Sequence, residues 1–270
     1  MATVGTMNPS DFEGRVYGPV PWSATSVAVG DFIALTGDDT DRWQHHAPPG
    51  FAAAALFAVA PDLLAELYDR SVVHGEQTFE WARAMPLDVA CQVAGTVTRV
   101  RERAGVHFMT FEVEVGDGDG VSVTGRSLFL LSGESLAAGV GAVEHPEPPH
   151  AYRGDPGDGE VSASRADLVR YAAATRDWNP VHWDHDAGVA AGFPGVVVHG
   201  LLQAGWALRS ASPSAAGARP FAQSRFRFRN PLLPARPALL SVSAGDASID
   251  VTLASTDTEY MTATMTLSDE

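Results

Sequence analysis

The chain has no lysine and only one cysteine. Its eighteen basic residues are therefore all arginine, against thirty-three acids, for a formal net charge of −15. That balance repels a phosphate backbone and argues against a nucleic-acid partner. The lone Cys91 excludes an intrachain disulfide and fits a reducing, cytoplasmic setting. It lies in an alternating apolar stretch and reads as a small core residue. No apolar run reaches eighteen residues, so no transmembrane helix and no membrane partner are expected. The first twenty residues hold Asp, Glu and Pro without an apolar core, so no signal peptide is expected. A lysine-free, Ala-, Gly- and Val-rich composition suggests a high-GC bacterial genome. What remains is 270 residues at 45% hydrophobic, enough for two modest domains or one large one.

The chain reads as two copies of one plan. Residues 1–21 are polar and Pro/Gly-containing, and are expected to form a loosely ordered arm. Ser26 to Asp31 reads as a short strand or turn. Phe32-Ile33-Ala34-Leu35-Thr36-Gly37-Asp38 then matches Tyr171-Ala172-Ala173-Ala174-Thr175-Arg176-Asp177: aromatic, apolar, Ala, apolar, Thr, any residue, Asp. This is an internal repeat at half-chain spacing. In that register Thr40 faces Asn179 and Trp43 faces His182, so the first copy lacks the amide and the imidazole and should be catalytically silent. Phe51 to Tyr68 reads as a buried helix, bent or split at Pro61. Its counterpart is Val198 to Ala211. Alternating strands follow each helix. In the first half they are Gln77–Trp81, Val89–Arg101, Val106–Val115 and Val121–Leu131. In the second they are Gln223–Phe228, Ala238–Ala244, Ile249–Ser255 and Tyr260–Leu267. Helix followed by antiparallel meander, twice, gives an α+β class. The domain division is 1–135, a Pro-rich linker at 136–158, and 159–270.

The chemistry concentrates in residues 171–205. One helical turn, Tyr171 to Thr175, should end near Asp177, because Pro180 disfavours a helical Asn179. Asp177, Asn179 and His182 then share a tight turn. Gly200 falls at the start of the second apolar helix, where backbone N–H groups lack partners and the helix dipole is positive. A carboxylate, an amide, an imidazole and an open backbone donor make a proton-transfer site facing an oxyanion site.

The ordered string Tyr171, Thr175-Arg176-Asp177, Asn179-Pro180-Val181-His182-Trp183-Asp184, Gly192-Phe193 and His199-Gly200 resembles the MaoC-like, (R)-specific enoyl-thioester hydratase family of the hotdog fold. Arg176 departs from it, standing where the family usually has Gly. His74-Gly75-Glu76-Gln77 resembles a strand entry of the two-hotdog-domain subgroup, which includes mesaconyl- and methylfumaryl-thioester hydratases and mitochondrial-type 3-hydroxyacyl-thioester dehydratases. There Glu76 replaces a second Gly. His74-Gly75 follows its helix whereas His199-Gly200 begins one, so His74 reads as structural, at a strand edge. The resemblance implies a double hotdog in one chain, each half a long helix wrapped by an antiparallel sheet, the two sheets pairing into one. Such a pseudo-dimer could pair further as a homodimer.

The implied activity is reversible hydration of a 2-enoyl thioester, or dehydration of an (R)-3-hydroxyacyl thioester, carried on CoA or a carrier protein. His182 would be the base and Asp177, in its acid form, the proton donor, with the roles shared or reversed as alternatives. Asn179 would orient them and the Gly200 N–H would hold the oxyanion. His199 is assigned to substrate binding. Arg225-Phe226-Arg227-Phe228-Arg229 alternates on a strand, and Arg225 and Arg227 are candidates for coenzyme A phosphates, which a forked guanidinium suits. No cofactor is implied. His45-His46, His182-x-Asp184-His185-x-Asp186 and the linker histidines His145 and His150 lack the fixed spacing of a metal site. A hotdog thioesterase or a non-catalytic acyl-thioester-binding module are the other readings. The first does not need the Asn-Pro-Val-His turn, and the intact Asp177, Asn179 and His182 set argues against the second.

Overall fold

The computed structural model describes residues 8–67, 70–133 and 159–269. The linker expected at 136–158 lies outside the described residues. The first element of the repeat is a helix, α1 (Ser26–Thr36), where a strand or turn was expected over its first half. Thr25 caps it by accepting from the Ala28 N–H. Val29, Phe32, Ile33 and Thr36 are its buried residues, a helical spacing that the valines and Gly30 obscure. The arm is also more ordered than expected. Phe12 is fully buried, and β1 (Val16–Trp22) pairs with a strand far along the chain. After a two-residue strand, β2 (His46–Ala47), comes the central helix of the first half, α2 (Ala53–Glu66). It runs through Pro61 without splitting, and the irregularity sits ahead of it as a 3-10 turn at Pro49–Ala52. The span Pro49–Glu66 is long and apolar enough to cross a membrane by composition, but 61% of it is buried inside the fold.

The strands of the first half are β3 (Ser71–Trp81), β4 (Met85–Pro86), β5 (Cys91–Arg103), β6 (Val106–Asp117) and β7 (Gly120–Ser132). The β5–β6 turn uses Ala104 and Gly105, both at positive φ, as a tight two-residue hairpin requires. In the second half, β8 (Glu160–Val161) precedes α3 (Arg165–Thr175), α4 (His185–Ala190) and the central helix α5 (Gly200–Ala211). The strands β9 (Phe221–Phe228), β10 (Ala238–Ala244), β11 (Ser248–Ala254) and β12 (Glu259–Leu267) complete it.

Among the described residues, ten strands form one sheet in the order β1-β5-β6-β7-β3-β9-β12-β11-β10-β8. Each half contributes five, and the halves join where β3 pairs antiparallel with β9, Glu76 opposite Arg227 and Thr78 opposite Arg225. The helix α2 packs on β1, β5 and β6, and α5 packs on β10, β11 and β12. Each central helix is thus wrapped by its own half-sheet: the fold is a double hotdog of the α+β class. The repeat helices α1 and α3 pack against each other, with Phe32 and Tyr171 rings 6.1 Å apart. The repeat therefore survives as paired structure, and it sets the carboxylates Asp38 and Asp177 just past the ends of equivalent helices.

Candidate active site

The site is assembled from the end of α3 and the start of α5. A capping box starts α3: Ser164 accepts from the Asp167 N–H, and Asp167 accepts from the Ser164 N–H. The helix is a full eleven residues, longer than the single turn expected. Thr175 returns its hydroxyl to the Tyr171 carbonyl at 2.8 Å. Arg176 then adopts the left-handed conformation, φ 66°, at the position where Gly37 (φ 70°) closes α1. Arg176 occupies the conformation that glycine adopts without cost. The reversal turns Asp177 inward, 5% exposed, and its carboxylate accepts the Asn179 N–H at 3.4 Å. The Asn179 side chain accepts the Val181 N–H, also at 3.4 Å, and Pro180 opens a 3-10 turn that ends at His182. Asp184 caps α4 by accepting from the Asp186 and Ala187 N–H groups. It fixes the turn.

His182 Nδ1 lies 2.8 Å from the Val197 carbonyl oxygen. A carbonyl only accepts, so Nδ1 carries the proton and Nε2 presents its lone pair. That Nε2 is 4.0 Å from Asp177 Oδ2, too far for a direct hydrogen bond and close enough for one water to reach both. Behind it His199, with no exposed surface, stacks on His182 at 3.8 Å between ring centroids. His199 Nε2 donates to the Asp177 carbonyl at 3.3 Å. Just past His199, α5 begins at Gly200. A Cβ there would lie 3.1 Å from the Phe228 ring, so glycine lets that ring close over the first turn.

Burial dominates the electrostatics. It pushes the Asp177 carboxyl up to about 7, against a smaller opposing pull from the Asn179 backbone N–H. Burial also lowers His182 to about 4, opposed by its bond to the Val197 carbonyl. His199 is held well below the ordinary imidazole value by burial and by neighbouring His182, so it is neutral too. Tyr171, whose ring lies 4.7 Å from His199, is raised by burial and by Asp177. Near pH 7 the Asp177 carboxyl is therefore at about its midpoint while His182 is neutral, so the proton that the pair holds sits on the carboxyl.

A cavity of about 180 Å³ opens at this pair. Asp177, Asn179, His182 and Gly200 all line it, as their spacing in the sequence implied. Phe57 and Leu64 from α2, Val72 from β3 and Phe129 from β7 supply an apolar wall from the first half. Three assignments made from sequence land elsewhere. His199 does not reach the cavity; the entry angle of α5 turns it behind His182. Arg225 and Arg227 lie on the exposed face of β9, and both hold Glu76 across the seam, at 2.8 and 3.4 Å. The guanidinium at the cavity is instead Arg229, half exposed and 3.7 Å from Glu259. Sequence reasoning also missed His74 and Gln203 as lining residues. The signal for His74 was Gly75 inside an otherwise regular strand: β3 bulges there, and a bulge re-aims its neighbours.

Asp177, His182 and His199 are the group of potential metal ligands that comes together among the described residues. Two of the three are committed: His199 Nε2 donates to a carbonyl, and burial favours the protonated carboxyl of Asp177. The set reads as proton-transfer machinery. The first half repeats the scaffold without it. Asp38 sits just past α1, and the indole N–H of buried Trp43 donates to its Oδ1 at 2.9 Å.

Comparison with known proteins bears on the family and the fold. Residues 152–256 match the family model described as MaoC like domain. Over 69 residues the chain is 38% identical to the mitochondrial 3-hydroxyacyl-[acyl-carrier-protein] dehydratase of Arabidopsis thaliana, covering 26% of this chain and 41% of that protein. Among solved structures, HtdX of Mycobacterium tuberculosis superposes with a TM-score of 0.71 at 22% identity, covering 94% of this chain and 99% of that one. A conserved hypothetical protein of the same organism, described as having a double hotdog fold, superposes with a TM-score of 0.62 at 12% identity, over 94% and 96% of the two chains. The C-terminal half of the chain is thus similar to MaoC-like domains, the family that its motif resembles, and the chain spans less than half the length of the curated relative it matches.

Proposed function

We propose that the protein is a hydro-lyase acting on acyl thioesters, adding water across the 2,3-double bond of a 2-enoyl thioester and removing it from the (R)-3-hydroxyacyl product. One observation carries the reading: a carboxyl with its proton retained to about pH 7 and a neutral imidazole lone pair face the same cavity, 4.0 Å apart. In hydration a water held between them attacks C3 and gives its proton to His182 Nε2. The Asp177 carboxyl delivers its proton to C2. The imidazolium then returns a proton to the Asp177 carboxylate, which restores the starting state. The reverse direction uses the same one-proton pair. Asn179 holds the Asp177 carboxylate through its backbone N–H. The Gly200 N–H, at the positive end of α5, stabilises the enolate-like oxygen of the thioester, and removing such a donor typically costs ~10²–10³ in rate.

The first half supplies the acyl wall and the second the chemistry, giving one site per chain. Arg229 faces the phosphate-bearing arm of the thioester, whether CoA or a carrier prosthetic group. The test is loss of crotonyl-CoA in the ultraviolet alongside release of free thiol. Loss of the enoyl band without thiol supports a hydratase, thiol release supports a thioesterase, and neither signal leaves a binding module.

A further inference from the structure

We propose that the cavity contains a polar subsite, His74 Nε2 from the first half and Gln203 Oε1 from the second, that selects an acyl chain bearing a hydroxyl over a plain alkyl chain. The proposal rests on the thioester reading above for the identity of the ligand. Both residues line the cavity. Both atoms are buried without a hydrogen-bond partner. Gln203 is 4% exposed and its Nε2 reaches the Val198 carbonyl at 3.5 Å, which leaves Oε1 toward the cavity. His74 is held between Phe129 and Phe228, ring centroids 5.0 and 5.2 Å away, so its polar edge is set in an aromatic frame. Two buried polar atoms without a partner carry a desolvation cost that a bound polar group removes.

The chemistry of the two atoms narrows the occupant. An amide oxygen only accepts, so the ligand must bring a donor. Burial holds His74 near a pKa of about 4, so its ring is neutral and offers no charge to a carboxylate. A terminal carboxylate would meet the Gln203 oxygen unscreened. A hydroxyl satisfies both: its proton goes to Gln203 Oε1, and its oxygen accepts from His74 in the Nε2–H tautomer. A site built this way discriminates strongly against an analogue that leaves its polar groups unpaired.

The test measures binding of unreactive CoA thioethers, in which a methylene separates sulfur from the carbonyl. A series of chain lengths is compared, plain or ending in a hydroxyl, by calorimetry. Wild type should bind one hydroxylated member at least about tenfold tighter than its alkyl counterpart. Gln203→Leu and His74→Phe, checked for folding by thermal unfolding, should each bring that ratio within about twofold of unity. A wild-type preference below about twofold at every length overturns the subsite, whatever the variants do. Variants that weaken both ligands equally also overturn it, because the atoms then hold the arm the two ligands share. Failure to turn over crotonyl-CoA refutes the hydro-lyase reading separately, since the binding ratio needs no turnover.

Discussion

Replacing Asp177 by Asn should sharply slow the proposed reaction and stabilise the protein at the same time, and the second effect can be worked out from the structure. Asn is nearly isosteric and does not titrate. In the folded wild type the carboxyl keeps its proton to about pH 7 because burial penalises the anion, whereas the unfolded chain ionises from the ordinary value of 3.8. The folded pKa is raised, so the stability linked to that proton is fully present below pH 3.8 and is lost as pH rises through about 7. The ceiling on the loss is about 4 kcal/mol at pH 8, a large fraction of a typical domain's stability. Asp177→Asn escapes it. The difference in Tm between variant and wild type should therefore be small at pH 4, grow toward pH 7 and level off above it. Comparing the two proteins at each pH cancels the titrating groups that are not coupled to Asp177. Enoyl-thioester hydration should meanwhile fall by ~10²–10⁴, the usual contribution of a general acid. A Tm difference that stays flat from pH 4 to pH 8 would refute the raised pKa, and with it Asp177 as the proton donor.

His182→Ala should cost a similar ~10²–10⁴ in kcat, and retention of more than about a tenth of wild-type activity refutes its role as base. The pH profile of kcat/KM should be a bell, falling below about 4 where His182 gains a proton and above about 7 where Asp177 loses one; a plateau through pH 9 contradicts the assignment. Asp38→Asn should leave kcat within about threefold of wild type, since no imidazole completes a pair there. Trp43→Ala should cost about 3–5 kcal/mol in denaturant unfolding, as a buried aromatic truncation does, and a loss under about 1 kcal/mol would show that the ring is not filling that space.

Much of this was legible because the half-buried antiparallel strands alternate and the motif is local. Asn-Pro-Val-His sets its own turn, so Asp177, Asn179 and His182 converge from spacing alone. What could not be read depends on pairing between distant segments. Arg225 and Arg227 look open until β9 is set against β3, which places Glu76 beside them. His74 reads as a strand-edge residue until the bulge at Gly75 and the docking of the second half put it in the cavity. His199 adjoins Gly200 in sequence, yet the backbone at the helix start, φ −53° and ψ 129°, sends its ring the other way. The helix α1 was misread because its valines favour strand; burial of one face against α3 and α5 overrides that preference.

On the proposed mechanism, the two halves also account for why equivalent carboxylates would differ in role. Asp38 and Asp177 follow matching helices, each turned by a left-handed residue, and burial raises the pKa of both. The partners have opposite polarity. Trp43 is a permanent donor, and its N–H to Asp38 Oδ1 favours the anion and lowers the pKa against burial. His182 turns its one proton toward the Val197 carbonyl and shows Asp177 a lone pair. Asp177 thus keeps its proton and faces a group able to take another from water, while Asp38 faces a group that can take none. On that reading, an indole in place of an imidazole separates a structural hydrogen bond from the proposed proton-transfer pair. Once one copy is closed by that ring, its half of the sheet and α2 are available to wall the cavity of the other. That is where Phe57, Leu64, Val72 and Phe129 are found.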